Sequence, residues 1–170
     1  MKHAKIAMLA ALYITGVFVG TQVQAEVPPN VPKNIRYQSA AACQGLHNFN
    51  KDSLAFRANG LSLINFSQDV VSAVCSPVVD VSDNGTDEVG LYVSNNEGTV
   101  EQTVTCVLTY NTAGLGPRES VQSVTVPAGT IRKVGWNTEG IIFGGPVSLR
   151  CALKFRTGVM RVYSISQHSS

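Results

Sequence analysis

Val100-Glu101-Gln102-Thr103-Val104-Thr105-Cys106-Val107-Leu108-Thr109-Tyr110 decides the fold class. Val100, Gln102, Val104, Cys106, Leu108 and Tyr110 fall on one face of this stretch, and Glu101, Thr103, Thr105 and Thr109 on the other. A period of two predicts a half-buried β-strand. The same period recurs upstream at Val89, Leu91 and Val93, and Asn95-Asn96-Glu97-Gly98 between the two runs has turn chemistry. Glu88 to Tyr110 therefore reads as a hairpin.

Further strands lie on both sides. Val147, Leu149, Cys151, Leu153 and Phe155 form another apolar face, which turns at Arg156-Thr157-Gly158 into Val159 to Ser166. Pro127-Ala128-Gly129 separates Val121 to Val126 from Ile131 to Trp136. Asn59-Gly60, between Leu54 to Arg57 and Leu61 to Phe66, is a strong two-residue hairpin signal. With Val70 to Cys75 and Pro77 to Val81 added, about 8–9 short strands follow one another at regular spacing, with no long helical stretch among them. The expected fold is all-β, an antiparallel β-sandwich of jelly-roll or immunoglobulin-like type.

The N-terminus has a different character. Lys2 and Lys5 precede an almost wholly apolar run from Ile6 to Gly20, and Thr21-Gln22-Val23-Gln24-Ala25 ends in a small residue. Residues 1–25 thus read as a secretory signal peptide cleaved after Ala25, because the apolar run is shorter than the roughly 20 residues of a spanning helix. Glu26 to Gln38, with Pro28, Pro29 and Pro32, reads as an extended leader ahead of a domain at 39–166, and residues 167–170 as a frayed tail. Export places the chain in the periplasm or outside the cell, with no membrane span after cleavage.

Charge narrows the partners. The whole chain has 13 Lys and Arg against 11 Asp and Glu, and the signal peptide removes Lys2 and Lys5 alone, leaving 11 against 11. A nucleic-acid binder needs a basic face and a membrane-surface binder a basic amphipathic helix, and neither is present. The partner expected is a protein or a glycan.

All four cysteines, Cys43, Cys75, Cys106 and Cys151, follow the signal peptide, where disulfides form and persist. Four cysteines allow three pairings. Cys106 and Cys151 each sit on the apolar side of a strand, so they can meet in the core, which leaves Cys43 for Cys75. No two are close enough for a C-x-x-C half-site, which argues against zinc.

The segments Ser39-Ala40-Ala41-Ala42-Cys43, Gly60 with Asn65-Phe66-Ser67, Val74-Cys75-Ser76-Pro77, Cys106-Val107-Leu108 and Cys151-Ala152-Leu153 carry a resemblance. The chain resembles a group of short exported bacterial proteins of unknown function. That resemblance implies a two-disulfide β-sandwich and transfers no catalytic residue. Cys75-Ser76-Pro77 departs from the group, which often has Cys-Pro directly.

Catalytic chemistry is thinly supplied. No G-x-S-x-G elbow, H-E-x-x-H pair or phosphate-cradling glycine loop occurs, and His47 and His168 are the only histidines after the signal peptide. A hydrolase would depend on His47, whose plainer reading is a surface-loop residue; the expected catalytic set is none. Asp80, Asp83 and Asp87 surround Gly85 in a loop of hard oxygen donors, a calcium candidate, although the twelfth position from Asp80 is Leu91 and not the acid of an EF-hand. Turn conformation alone also accounts for such a loop. No other cofactor is expected.

Aromatic residues offer the remaining opening. Trp136, Tyr92 and Tyr163 are candidates for a sugar-binding platform, and Trp136, two residues after Val134, is read as core. The leading expectation is a non-enzymatic structural or interaction protein of the envelope or secreted fraction. The alternative is a carbohydrate-binding β-sandwich module, with calcium assistance from the aspartate loop.

Overall fold

The computed structural model describes residues 33–46, 53–56, 62–79, 85–97 and 99–167. The expected signal peptide at residues 1–25, His47, Asn59-Gly60, Asp80, Asp83 and His168 lie outside the described residues. Eleven strands are found among those described: β1 Lys33–Ser39, β2 Cys43–Gly45, β3 Leu54–Phe56, β4 Leu63–Asn65, β5 Val71–Cys75, β6 Glu88–Asn95, β7 Gln102–Thr112, β8 Gly116–Val126, β9 Ile131–Asn137, β10 Ser148–Leu153 and β11 Thr157–Gln167. They form two antiparallel sheets. One runs β3-β4-β11-β6-β9, with β1 also paired to β11, and the other runs β2-β5-β10-β7-β8.

Alternation fills the space between the sheets. Val89, Leu91 and Val93 of β6, Val134 and Trp136 of β9 and Val159 and Val162 of β11 belong to one buried cluster. Val104, Cys106 and Leu108 of β7 and Leu149, Cys151 and Leu153 of β10 complete it from the opposite sheet. Each fully buried Val or Leu contributes about 1.5–3 kcal/mol relative to exposure.

Both disulfides join neighbouring strands of the second sheet. Cys43 is bonded to Cys75 and Cys106 to Cys151, and each pair is directly opposite in register. They close loops of 32 and 45 residues, for which chain entropy assigns about 4 kcal/mol apiece.

Three sequence expectations are corrected. Glu88 to Tyr110 is not a hairpin: β6 pairs with β11 and β9, whereas β7 pairs with β10 and β8. The turn carries the chain across the core. Asn95 fixes that crossing, its Nδ2 donating to Val100 O at 2.8 Å and Val126 O at 3.0 Å while Oδ1 accepts from Glu97 N at 2.9 Å. Second, residues 33–38 are not a leader outside the fold, because β1 pairs with β11 from Lys33↔Gln167 to Ser39↔Arg161. The prolines that argued against regular structure end at Pro32, one residue before the strand.

Third, residues 76–79 of the expected Pro77 to Val81 strand have no ladder partner. Side chains replace it: Val78 N donates to Gln38 Oε1 at 2.9 Å, and Ser164 Oγ donates to Val78 O at 2.6 Å. Pro77 has no N–H to offer a neighbouring strand.

Candidate functional site

The outer face of the β1–β11–β6–β9 sheet gathers the polar aromatic residues. Its pairings form three rows. Tyr37, Tyr163, Gly90 and Gly135 make the central row; Ser39, Arg161, Tyr92 and Lys133 lie on one side of it, and Ile35, Ile165, Glu88 and Asn137 on the other.

A β-bulge sets this arrangement. Val159 pairs with Val93 and Arg161 with Tyr92, so Met160 is an extra residue in β11. Strict alternation would put Arg161 on the buried face with Val159. The inserted residue reverses the phase, and Val162 takes the inward position while Arg161 and Tyr163 face outward.

Tyr163 is 2 % exposed although it lies on an outer face. Its ring covers two glycines: a Cβ on Gly90 would come within 2.5 Å of the Tyr163 hydroxyl, and one on Gly135 would overlap it. Only residues without a side chain permit this approach. The Tyr163 hydroxyl donates to Glu88 Oε1 at 2.6 Å, and Lys133 Nζ contacts the same oxygen at 2.6 Å. Lys133 Nζ also stands 5.0 Å from the centre of the Tyr163 ring. Burial first, and then the Glu88 carboxylate beside it, push the Tyr163 phenol well above the ordinary tyrosine range.

Two further tyrosines flank it. The Tyr37 and Tyr92 rings lie 6.5 Å and 5.5 Å from the Tyr163 ring, both tilted. The Arg161 guanidinium lies 5.3 Å from the centre of Tyr37 and 4.9 Å from that of Tyr92. Both distances suit cation–π attraction. Tyr37, Ser39, Tyr92, Ile131, Met160 and Arg161 are among the residues lining an open groove of about 380 Å³. Tyr37 is 55 % exposed.

Of the residues singled out in the sequence, Tyr92 and Tyr163 come together on this face. Trp136 does not; it is 3 % exposed, in the core beside Val134. Asp87 is described one residue before β6, with Asp87 N donating to Ile165 O at 2.7 Å, but its partners in the calcium candidate, Asp80 and Asp83, are not. Among the described residues, no group of three or more His, Cys, Asp or Glu could hold a metal ion. No helix among them is long and apolar enough to cross a membrane.

Sequence reasoning missed Tyr37, Arg161, Lys133 and Glu88. Tyr37 falls in the proline-containing stretch that reads as a leader. Arg161 was hidden because a bulge leaves no mark in an alternating pattern. The Glu88–Lys133 pair joins different strands, and no local spacing announces it.

No family model matches the chain. No curated protein matches it either. Among solved structures, the C-terminal family 22 carbohydrate-binding module of Clostridium thermocellum Xyn10B is similar at 14% identity and a TM-score of 0.43, over 84% of this chain and 88% of that one. The module TmCBM61, solved with β-1,4-galactotriose, is similar at 13% identity and a TM-score of 0.36, over 80% and 84%. The CBM22-1–GH10 modules of Clostridium thermocellum endo-1,4-β-D-xylanase 10B, solved with xylohexaose, follow at 12% identity and a TM-score of 0.44, over 82% of this chain and 28% of that one. These neighbours are characterised carbohydrate-binding modules, which corrects the resemblance to an uncharacterised exported group. The motifs behind that resemblance were cysteines with small and apolar neighbours, a pattern that any buried cross-strand disulfide favours.

Proposed function

We propose that this β-sandwich is a non-catalytic carbohydrate-binding module whose site is the groove on the outer face of the β1–β11–β6–β9 sheet. One observation carries the reading: Tyr37 and Tyr92 line a single open groove together with the polar residues Arg161 and Ser39. Sugar rings present apolar C–H faces and a rim of hydroxyls. Tyrosine rings suit the faces, and fixed donors and acceptors suit the rim. Tyr163, pinned beneath by Glu88, keeps the neighbouring rings in place before a ligand arrives, which lowers the ordering cost of binding. This reading favours the carbohydrate module over a generic interaction scaffold and makes no use of calcium at Asp80, Asp83 and Asp87.

Export accompanies the proposal. Residues 1–25 would direct the chain out of the cytoplasm, and two buried disulfides with no free cysteine suit an oxidising compartment. Affinity electrophoresis against soluble polysaccharides, backed by a glycan array, tests the site. Binding is expected, with loss of about tenfold or more in Tyr37→Ala and Tyr92→Ala while the fold is retained. Binding that survives both substitutions would move the site elsewhere, and an empty array would return the chain to the interaction-scaffold reading.

A further inference from the structure

Charge in the groove is unbalanced. Lys133 Nζ is 2.6 Å from Glu88 Oε1, so that lysine is offset within the protein. Arg161 has no carboxylate partner among the described residues; its contacts there are the two tyrosine rings. The rings fix the guanidinium while leaving its N–H groups without a fixed acceptor. A planar fork held this way is matched by a carboxylate, which takes two parallel hydrogen bonds from it.

We propose that the groove selects acidic glycans, with Arg161 binding the carboxylate of a uronic acid residue while Tyr37 and Tyr92 contact the sugar rings. The inference rests on the carbohydrate-binding reading and adds the substrate class. Among the described residues of the three rows, Arg161 is the one cation without a carboxylate partner, which suits one carboxylate at one sugar position. A densely sulfated polyanion would call for a basic stripe, and the three rows of this face hold two cations, Arg161 and Lys133, the second of them held by Glu88. The bulge at Met160 gives the arrangement its structural cause, because it turns Arg161 out of the core and into the groove.

Calorimetry on the disulfide-intact protein tests it, with trimers of galacturonate, glucuronate and mannuronate, each beside its carboxyl-reduced counterpart. At least one acid should bind about 10- to 100-fold tighter than its reduced form, and the preference should weaken as salt is raised. Arg161→Gln should abolish the preference, and Arg161→Lys, which keeps charge without the fork, should retain only part of it. The residue is exposed, and a thermal melt of each variant checks the fold. Equal binding of acid and reduced forms, no binding of any acid trimer, or a preference that survives Arg161→Gln would overturn the inference. Neutral glycans that still depend on Tyr37 and Tyr92 would then leave the carbohydrate reading standing, whereas binding to no glycan at all would remove both.

Discussion

Tyr163 on β11 and Glu88 on β6 meet through a 2.6 Å hydrogen bond on the outer face of the sheet, although they are 75 residues apart in sequence. The bond holds the central ring of the aromatic face. It also ties that ring's protonation to folding.

Alkaline unfolding should report this link. Burial and Glu88 raise the Tyr163 phenol above its value of about 10 in an unfolded chain. A group whose folded pKa is raised contributes stability that is complete below the unfolded pKa and is lost as pH rises. Between pH 10 and 11 the unfolded chain ionises this tyrosine first, at up to about 1.4 kcal/mol per pH unit. Tyr163→Phe should cost about 1–2 kcal/mol at pH 7, through the lost bond, and show a shallower fall from pH 10 to 11 in urea titrations. Parallel slopes in wild type and variant would show that Tyr163 is not linked to folding.

Gly90→Ala should disturb the same ring from below. Its Cβ would stand 2.5 Å from the Tyr163 hydroxyl and 2.7 Å from the ring carbon that bears it, and it would overlap the Val134 carbonyl oxygen. Backbone on one side leaves little room to yield, so overpacking of about 1–3 kcal/mol is expected. Gly129→Ala offers a contrast. Its Cβ would meet nothing within 4 Å, and its cost would come from a φ of 68° alone, about 1 kcal/mol. Near-ultraviolet circular dichroism should change in Gly90→Ala and stay unchanged in Gly129→Ala. An unaltered tyrosine signal in Gly90→Ala would mean that the ring does not lie over this glycine.

The sandwich was legible where burial sets a period, as at Val104, Cys106 and Leu108, whose inward face also placed Cys106 opposite Cys151. Sheet membership was not. Asn95-Asn96-Glu97-Gly98 has the composition of a hairpin turn, yet the same composition serves an arch between sheets. Turn chemistry fixes local φ and ψ, and what a strand pairs with depends on distant strands. Pro127-Ala128-Gly129 likewise links β8 to β9 across the two sheets. The candidate site was half legible. Tyr92 and Tyr163 stood out as amphipathic aromatics on alternating strands, but Tyr37 lay behind a proline-rich stretch and Arg161 depended on a bulge at Met160. The spacing of Trp136 to Val134 predicts a core position, which is where its side chain lies.

Two buried asparagines clasp the sheets, and their removal should separate cost from location. Asn65, at the end of β4, donates from Nδ2 to Leu153 O on β10 at 2.8 Å and to Asp69 O at 2.7 Å, while Oδ1 accepts from Ser67 N at 2.8 Å. Asn95 does the same at the end of β6, reaching Val126 O on β8, so each carries a bond from one sheet to the other. Both side chains are buried, with Asn65 at 0% and Asn95 at 1% exposure, and an alanine at either position leaves carbonyl acceptors without their donor. A desolvated unsatisfied group costs about 1–3 kcal/mol, so Asn65→Ala and Asn95→Ala should each lower stability by that much or more in urea titrations. Asn95→Asp is the sharper test, because the carboxylate keeps the bond from Glu97 N but faces the Val100 and Val126 carbonyls with no donor. It should be at least as destabilising as alanine near neutral pH and recover part of the loss as pH falls toward about 4, because burial beside two carbonyl oxygens raises the carboxyl's pKa in the folded state and the protonated form can donate. An aspartate variant as stable as wild type at pH 7 would mean that the cross-sheet bonds do not hold the arch.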